Sequence, residues 1–290
     1  MIKARFIELT LTIALLSFQT AAQKVNEPQG GNPQWSRPYT PFRIVGNLYY
    51  VGTYDLACYL IVTNQGNILV NTGLAASLSQ IKDNIKALGF KVSDTKIVLT
   101  TQAHYDHVAA LAAIKKETGA TMMADAMDAA VLESGGSTDY ELSKYGVTFE
   151  PVKVDRLLKD GDEIKLGDMK IVMLHHPGHT KGSCSYLLDV KDEKKTYRVL
   201  IVNMPSIITD RKFSDITAYP DIAKDYAYTF ESLKKLSFDL WLSSHASQFG
   251  LHDKHKPGDG YNPEAFSDRK GYDQAVKDLE AQYQKKIAAE

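Results

Sequence analysis

Short apolar runs broken by turn residues fill the chain from residue 43 to residue 74. Ile44-Val45, Leu48-Tyr49-Tyr50-Val51, Tyr59-Leu60-Ile61-Val62 and Ile68-Leu69-Val70 are separated by signals such as Gly46-Asn47 and Asn64-Gln65-Gly66-Asn67. That pattern predicts antiparallel hairpins. The period then changes: Leu78, Ile81, Ile85 and Leu88 share one helical face, and Gly89 supplies a stop. Residues 97–100 predict a strand, residues 108–118 a helix closed by Gly119, and residues 125–133 a further helix. A polar, glycine-containing stretch, 134–148, interrupts the pattern. The second half repeats the style, with strands expected over 152–157, 163–166, 169–174, 184–190 and 197–202. Helices are expected over 222–236 and 272–286. Strands followed by helices, twice over and without a readable repeat or linker, predict one mixed α and β domain over residues 41–290.

The segment before it reads differently. Lys3 and Arg5 precede an apolar segment, 9–18, too short to span a bilayer, and Thr20-Ala21-Ala22 offers small residues for cleavage. Residues 1–22 therefore read as a secretory signal peptide, slightly weakened by Glu8, and predict a periplasmic protein. Residues 23–40 are rich in Gly, Pro, Asn and Gln and predict an extended, poorly ordered arm. An apolar content of 44% supports a packed core. A net charge of −1 leaves no electrostatic footprint for nucleic acid or an anionic membrane. The mature chain is expected to be a monomer with neither partner. Cys58 and Cys184 could pair in an oxidising compartment, but both sit in apolar runs where buried free cysteines are common. No Cys-x-x-Cys occurs, so a thiolate metal site is not expected. His252 and His255, with Lys254 and Lys256, are expected in a solvated loop.

The chemistry concentrates in Thr101-Gln102-Ala103-His104-Tyr105-Asp106-His107. Two imidazoles and a carboxylate within four residues follow a predicted strand and precede a predicted helix, so a tight loop aims them at one point. Imidazole plus carboxylate suits zinc with a position left open for water. Leu174-His175-His176-Pro177-Gly178-His179-Thr180-Lys181-Gly182-Ser183 supplies a second histidine cluster. Ser243-Ser244-His245 supplies a third, directly after the apolar run 238–242. His179 is favoured over His175 and His176 because Pro-Gly would present it at a turn; the other two are expected to be packed or to support the ligands.

In this order, His-x-Asp-His, Pro-Gly-His-Thr and a late Ser-His resemble the metallo-β-lactamase superfamily from about Pro41 to the C-terminus. Within it the chain resembles class B, subclass 3 β-lactamases, and in particular their GOB-type branch, where glutamine replaces the first histidine of His-x-His-x-Asp-His, as Gln102 does here. Flanking matches are Pro41-Phe42-Arg43-Ile44, Asn71-Thr72-Gly73-Leu74, Asn203-Met204-Pro205-Ser206 and Ser244-His245-Ala246-Ser247-Gln248-Phe249. The resemblance implies a four-layer αββα sandwich with a metal cleft at one edge, between the halves. It implies up to two zinc ions, one on Gln102, His104 and His179 and one on Asp106, His107 and His245. The second set carries the carboxylate and is expected to fill first. Gln102, a neutral amide, either coordinates or only hydrogen-bonds nearby. Asp106 is the implied catalytic residue and Ser206 a contact for the substrate carboxylate, although a turn serine would also fit there. Met204 stands where most relatives of this subclass carry serine, and a thioether there is expected to pack rather than ligate. The implied reaction is hydrolysis of the β-lactam amide of penicillins, cephalosporins and carbapenems by water held and activated on zinc, conferring antibiotic resistance. Two alternatives stay open: a lactonase or thioester hydrolase of the same fold, and a non-catalytic zinc-binding protein. Against the first, the 203–206 segment lacks the carboxylate with which glyoxalase- and lactonase-type relatives bridge two metals.

Overall fold

The computed structural model describes residues 25–28, 31–193 and 195–290. The expected signal peptide, residues 1–22, lies outside them. β1 (Phe42–Val45), β2 (Leu48–Tyr50), β3 (Tyr59–Thr63) and β4 (Gly66–Val70) form the predicted antiparallel hairpins. β5 (Thr95–Leu99), β6 (Thr121–Asp125) and β7 (Arg156–Leu158) extend the same sheet in parallel, in the order β1-β2-β3-β4-β5-β6-β7. The second sheet runs β12-β11-β10-β9-β8, from β8 (Glu163–Leu166), β9 (Met169–His175), β10 (Cys184–Lys191), β11 (Thr196–Val202) and β12 (Leu240–Ser243).

Alternate residues of the central strands serve two different cores. Tyr59, Ile61, Ile68, Val70, Ile97 and Leu99 pack with Tyr186, Leu188 and Val190 of the other sheet. Their neighbours Leu60, Leu69 and Val98 instead pack with Ile81 and Ile85 of α1 (Ser77–Ala87) and Leu111 and Ile114 of α3 (Leu111–Thr118). A strand buried on both faces needs apolar residues at every position, which is why these strands read as unbroken runs. On the far side, α5 (Ile222–Leu233) and α7 (Arg269–Ala288) cover the second sheet, with Trp241 edge-on to Tyr272 at 5.4 Å and the Tyr272 hydroxyl donating to the Leu233 carbonyl at 2.9 Å. The result is the αββα layering.

Several expected elements are corrected. The helix expected over 108–118 is broken into α2 (Tyr105–Val108) and α3. The loop after β4 takes its hydrogen bonds: Thr72 N–H donates to His107 O (2.8 Å), and Ala109 N–H donates to Gly73 O (3.0 Å). The helix expected over 125–133 shrinks to α4 (Ala129–Glu133), because residues 121–125 form β6 beside β5. Met and Ala are weak strand formers, and this strand is set by its neighbours. Of the strand expected over 152–157 only Arg156 and Leu157 enter β7, while Val152 and Val154 fill the outer core. The helix expected to reach 236 stops at Leu233. The arm is not loose throughout: Tyr39 is buried and Trp35 is anchored at the site described below. His252 and His255 are only partly solvated; their rings stack on Tyr54 and Phe42, each with centroids 3.6 Å apart. Lys254, in α6 (Leu251–Lys254), pairs with Asp268 at 3.0 Å. Cys58 and Cys184 are buried free thiols.

Candidate metal centre

Three strand ends deliver the predicted residues to one edge of the sandwich: β5 into the 100–104 loop, β9 into the 176–183 loop, and β12 into Ser244-His245. Main-chain bonds clip the two sheets together there. Cys184 N–H donates to Thr101 O (2.9 Å) and Ala57 N–H donates to Ser244 O (3.1 Å). Asn71, just after β4, adopts φ 62°, a left-handed conformation that asparagine tolerates better than most residues. Its Oδ1 accepts from Thr101 N–H (3.0 Å) and lies 3.2 Å from the Thr100 and Thr101 hydroxyls. The ligand loop is therefore held by the protein itself.

Asp106 Oδ2 lies 3.2 Å from His107 Nε2 and 3.4 Å from His245 Nε2. Among the described residues these three side chains form the one His, Cys, Asp and Glu group able to share an ion, with ligand atoms within 4.8 Å of one another. Asp55 sets the orientation of His245: its Oδ2 is 3.2 Å from His245 Nδ1, and it also accepts from Trp35 Nε1 (3.1 Å) and Ser247 N–H (2.9 Å). With Asp55 on Nδ1, Nε2 is the His245 nitrogen that faces Asp106 and would be free to ligate. Burial works to raise the Asp106 pKa, but the His107 and His245 imidazoles outweigh it and hold the carboxyl well below its usual range. Burial works to lower His245, but hydrogen bonds to Asp106 and Asp55 push it up to about 9.

His104 and His179 meet beside this group, with His104 Nδ1 3.1 Å from His179 Nε2. Arms of 2.0–2.1 Å to a tetrahedral ion would set two nitrogens roughly 3.3 Å apart. His179 Nδ1 donates to the Ser206 carbonyl at 2.7 Å, which leaves Nε2 unprotonated and facing His104 Nδ1. Burial holds His179 down, to about 3, so its ring is neutral and fit to ligate. Gln102 is buried, and its Oε1 finds no hydrogen-bond partner among the described residues; neither does either ring nitrogen of His107 or Nε2 of His104, although Asp106 and Asp139 approach those two Nε2 atoms at 3.2 and 3.3 Å. Unpartnered buried polar atoms among the predicted ligands are what a metal would satisfy. Imidazole, carboxylate and amide donors without a thiolate fit zinc.

The loop that carries His179 is built with little room. Gly178 has φ 129°, and a Cβ there would meet the Tyr226 ring at 2.9 Å. A Cβ at Gly182 would meet the Asp128 backbone nitrogen at 2.5 Å. Asp128 accepts from the Thr180 hydroxyl and from Gly182 N–H, each at 2.7 Å, and burial pushes its pKa up to about 6. His175 pairs with Asp125 at 2.7 Å, and His176 is buried between the Ser185 and Ser232 hydroxyls at 2.7 and 3.1 Å. Neither joins the cluster. Met204 is buried in the central core. Ser206 Oγ stands 3.2 Å from His179 Nδ1. Reading the sequence missed Asp55, Asp128, Asp139 and Trp35, which lie in polar or glycine-rich stretches with no ligand spacing to mark them.

A family model described as the metallo-beta-lactamase superfamily matches residues 52–192. The crystal structure of the metallo-β-lactamase GOB-18 from Elizabethkingia meningoseptica is 59% identical, with a TM-score of 0.92 over 93% of this chain and 100% of that one. The class B3 di-zinc metallo-β-lactamase LRA-12 from an Alaskan soil metagenome is 66% identical, with a TM-score of 0.89 over 90% and 99%. More distantly, the acyl-coenzyme A thioesterase MBLAC2 of Gallus gallus is 22% identical over 70% of this chain and 76% of its own. Fold, site and likeness together define a metallohydrolase of two stacked sheets. The chain belongs to the metallo-β-lactamase superfamily and, within it, stands with the subclass B3 enzymes.

Proposed function

We propose that this chain hydrolyses the β-lactam amide bond of penicillins, cephalosporins and carbapenems with zinc, and so confers antibiotic resistance. The observation that carries this reading is the pair of donor sets, Gln102, His104 and His179 beside Asp106, His107 and His245, in a chain 59% and 66% identical to two β-lactamases. Zinc, when bound, supplies Lewis acidity and a water that loses its proton near neutral pH. The protein's own groups do the rest. Asp106 brings the one anionic donor and orients the attacking water. Asp55 and the Ser206 carbonyl fix the rings of His245 and His179. Ser206 Oγ, 3.2 Å from His179 Nδ1, is the group this reading assigns to the substrate carboxylate. The buried thioether of Met204 offers no carboxylate to bridge two ions, which favours β-lactam over the thioester chemistry of distant relatives. Nitrocefin and a carbapenem should turn over far faster than a homoserine lactone or an acyl thioester. A preference for either of the latter overturns the reading.

The same reading takes residues 1–22 as a signal peptide and places the mature, monomeric enzyme in the periplasm. Among the described residues no helix is long and apolar enough to cross a membrane. It also assigns up to two zinc ions. The second set has one ionised carboxylate and two imidazoles, the first two imidazoles and an amide, so the second should fill first. Stepwise cobalt titration should show the Asp106, His107 and His245 spectrum at the first equivalent, and Gln102→His should tighten the other set. First-equivalent cobalt on the Gln102 side would reverse the order.

A further inference from the structure

The first donor set carries no negative charge of its own, yet a buried carboxylate touches it. Asp139 Oδ2 lies 3.3 Å from His104 Nε2, and both side chains are buried. Asp139 comes from the polar stretch 134–148, far from every ligand in sequence. Its other oxygen is already committed: Oδ1 accepts from Glu141 N–H (2.8 Å) and Leu142 N–H (2.6 Å). Oδ2 is therefore left facing the imidazole. On the other side of that ring, His104 Nδ1 faces His179 Nε2, and this is the nitrogen directed at the shared ligand position.

We propose that Asp139 is a positioning residue that holds His104 in the tautomer protonated on Nε2, so that Nδ1 presents its lone pair to zinc alongside Gln102 and His179. A neutral imidazole has one proton for two nitrogens, and the hydrogen bond made by one decides what the other can do. A carboxylate accepts and cannot donate, so it keeps the proton on Nε2. It also lends the amide-containing set the charge its own ligands lack and raises the basicity of His104. Asp55 does the same for His245, with the nitrogens reversed. This inference rests on the zinc reading of the site but not on the substrate.

The test separates tautomer control from simple support. In Asp139→Asn the amide oxygen can keep the two backbone bonds. Its NH2 group then takes the place of Oδ2 and donates to His104 Nε2. The ring proton is driven to Nδ1, and the ligand position is blocked. Asp139→Ala removes the partner without reversing its polarity, but also removes both bonds to the turn. The Asn variant should therefore hold first-set metal at least about tenfold more weakly than wild type, in line with losses on removing partners of ligating histidines, and more weakly than the Ala variant. The Ala variant should have the lower Tm. Zinc affinity by chelator competition, cobalt spectra and 15N shifts of the His104 ring read this without any turnover assay. Asp55→Asn should weaken the other set instead. A merely structural role predicts that Ala is worse than Asn for both metal and Tm, and that result overturns the proposal. So does wild-type metal binding by the Asn variant, or a wild type that takes no second ion at saturating zinc. Absence of β-lactam turnover in a wild type that behaves as described would sink the proposed substrate and leave Asp139 in place.

Discussion

Exhaustive dialysis against a strong chelator is expected to abolish β-lactam hydrolysis, and added zinc to restore it, while clavulanate leaves the enzyme active. The reason is that no serine among the described residues is poised as a nucleophile near the cluster. Among the described residues three serine hydroxyls, of Ser185, Ser232 and Ser206, lie within hydrogen-bond distance of a histidine, and each is committed elsewhere. Ser185 Oγ lies 2.7 Å from His176 Nδ1, but both residues are buried and the other ring nitrogen meets Ser232. Burial holds His176 down, to about 3, as a neutral packing group. Ser206 Oγ lies 3.2 Å from His179 Nδ1, but that nitrogen already donates to the Ser206 carbonyl at 2.7 Å. A donor cannot also take the hydroxyl proton, so His179 is no general base for Ser206. Ser244 Oγ is held at 2.8 Å from the Thr101 hydroxyl and 3.3 Å from Asn203 Oδ1. With water left as the nucleophile and zinc as its activator, removing the metal removes the reaction. Steady-state rates with nitrocefin before and after dialysis, with metal content measured on the same samples, check this. Activity that survives in a metal-free sample would mean that an acyl-enzyme route operates.

What the sequence disclosed and what it hid follow from the range of the interactions. The ligand run 102–107 is a local signal, because a strand end and a short helix place those side chains whatever the rest of the chain does. The hairpins β1 to β4 were legible for the same reason, since turn residues and apolar runs lie within a few positions of one another. β6 was hidden because Thr121 to Asp125 is a strand only through its pairing with β5 and its share of two cores. The break between α2 and α3 was hidden because its cause is a pair of hydrogen bonds from the loop after β4. The supporting carboxylates were hidden most thoroughly. Asp55 is 190 residues from His245 in sequence and Asp139 is 35 from His104, and nothing in their flanking text distinguishes them from solvated acids. Trp35 was lost in a segment whose composition suggests disorder, yet its indole lies 5.7 Å from the His245 ring and donates to Asp55. Composition predicts average behaviour, and one half-buried aromatic with a polar partner is enough to anchor a segment locally.

Asp106→Ala is expected to lower kcat by at least about a hundredfold, the scale of a lost group that orients a proton-transfer or charge-stabilising step. Asp106 is the one carboxylate within reach of both His107 Nε2 and His245 Nε2 in the ligand group, and it is itself buried. Two imidazoles hold its carboxyl well below the usual range against the burial that would raise it, so it enters the site as an anion across the working pH range. Alanine removes the only negative charge among the six proposed ligands and the acceptor that would align water for attack. It also leaves the His107 and His245 imidazoles facing a gap, so the metal of the second set is held less tightly. The assay must therefore be run with zinc in excess and occupancy measured, to separate loss of metal from loss of orientation. Asp106→Asn sharpens the comparison, because it keeps the shape and one acceptor oxygen while removing the charge. It should retain more metal than the alanine variant and still lose most of kcat, since an amide neither offsets the charge of the ion nor accepts as strongly from water. A full complement of zinc together with near wild-type kcat in the alanine variant would show that Asp106 lies outside the reacting group.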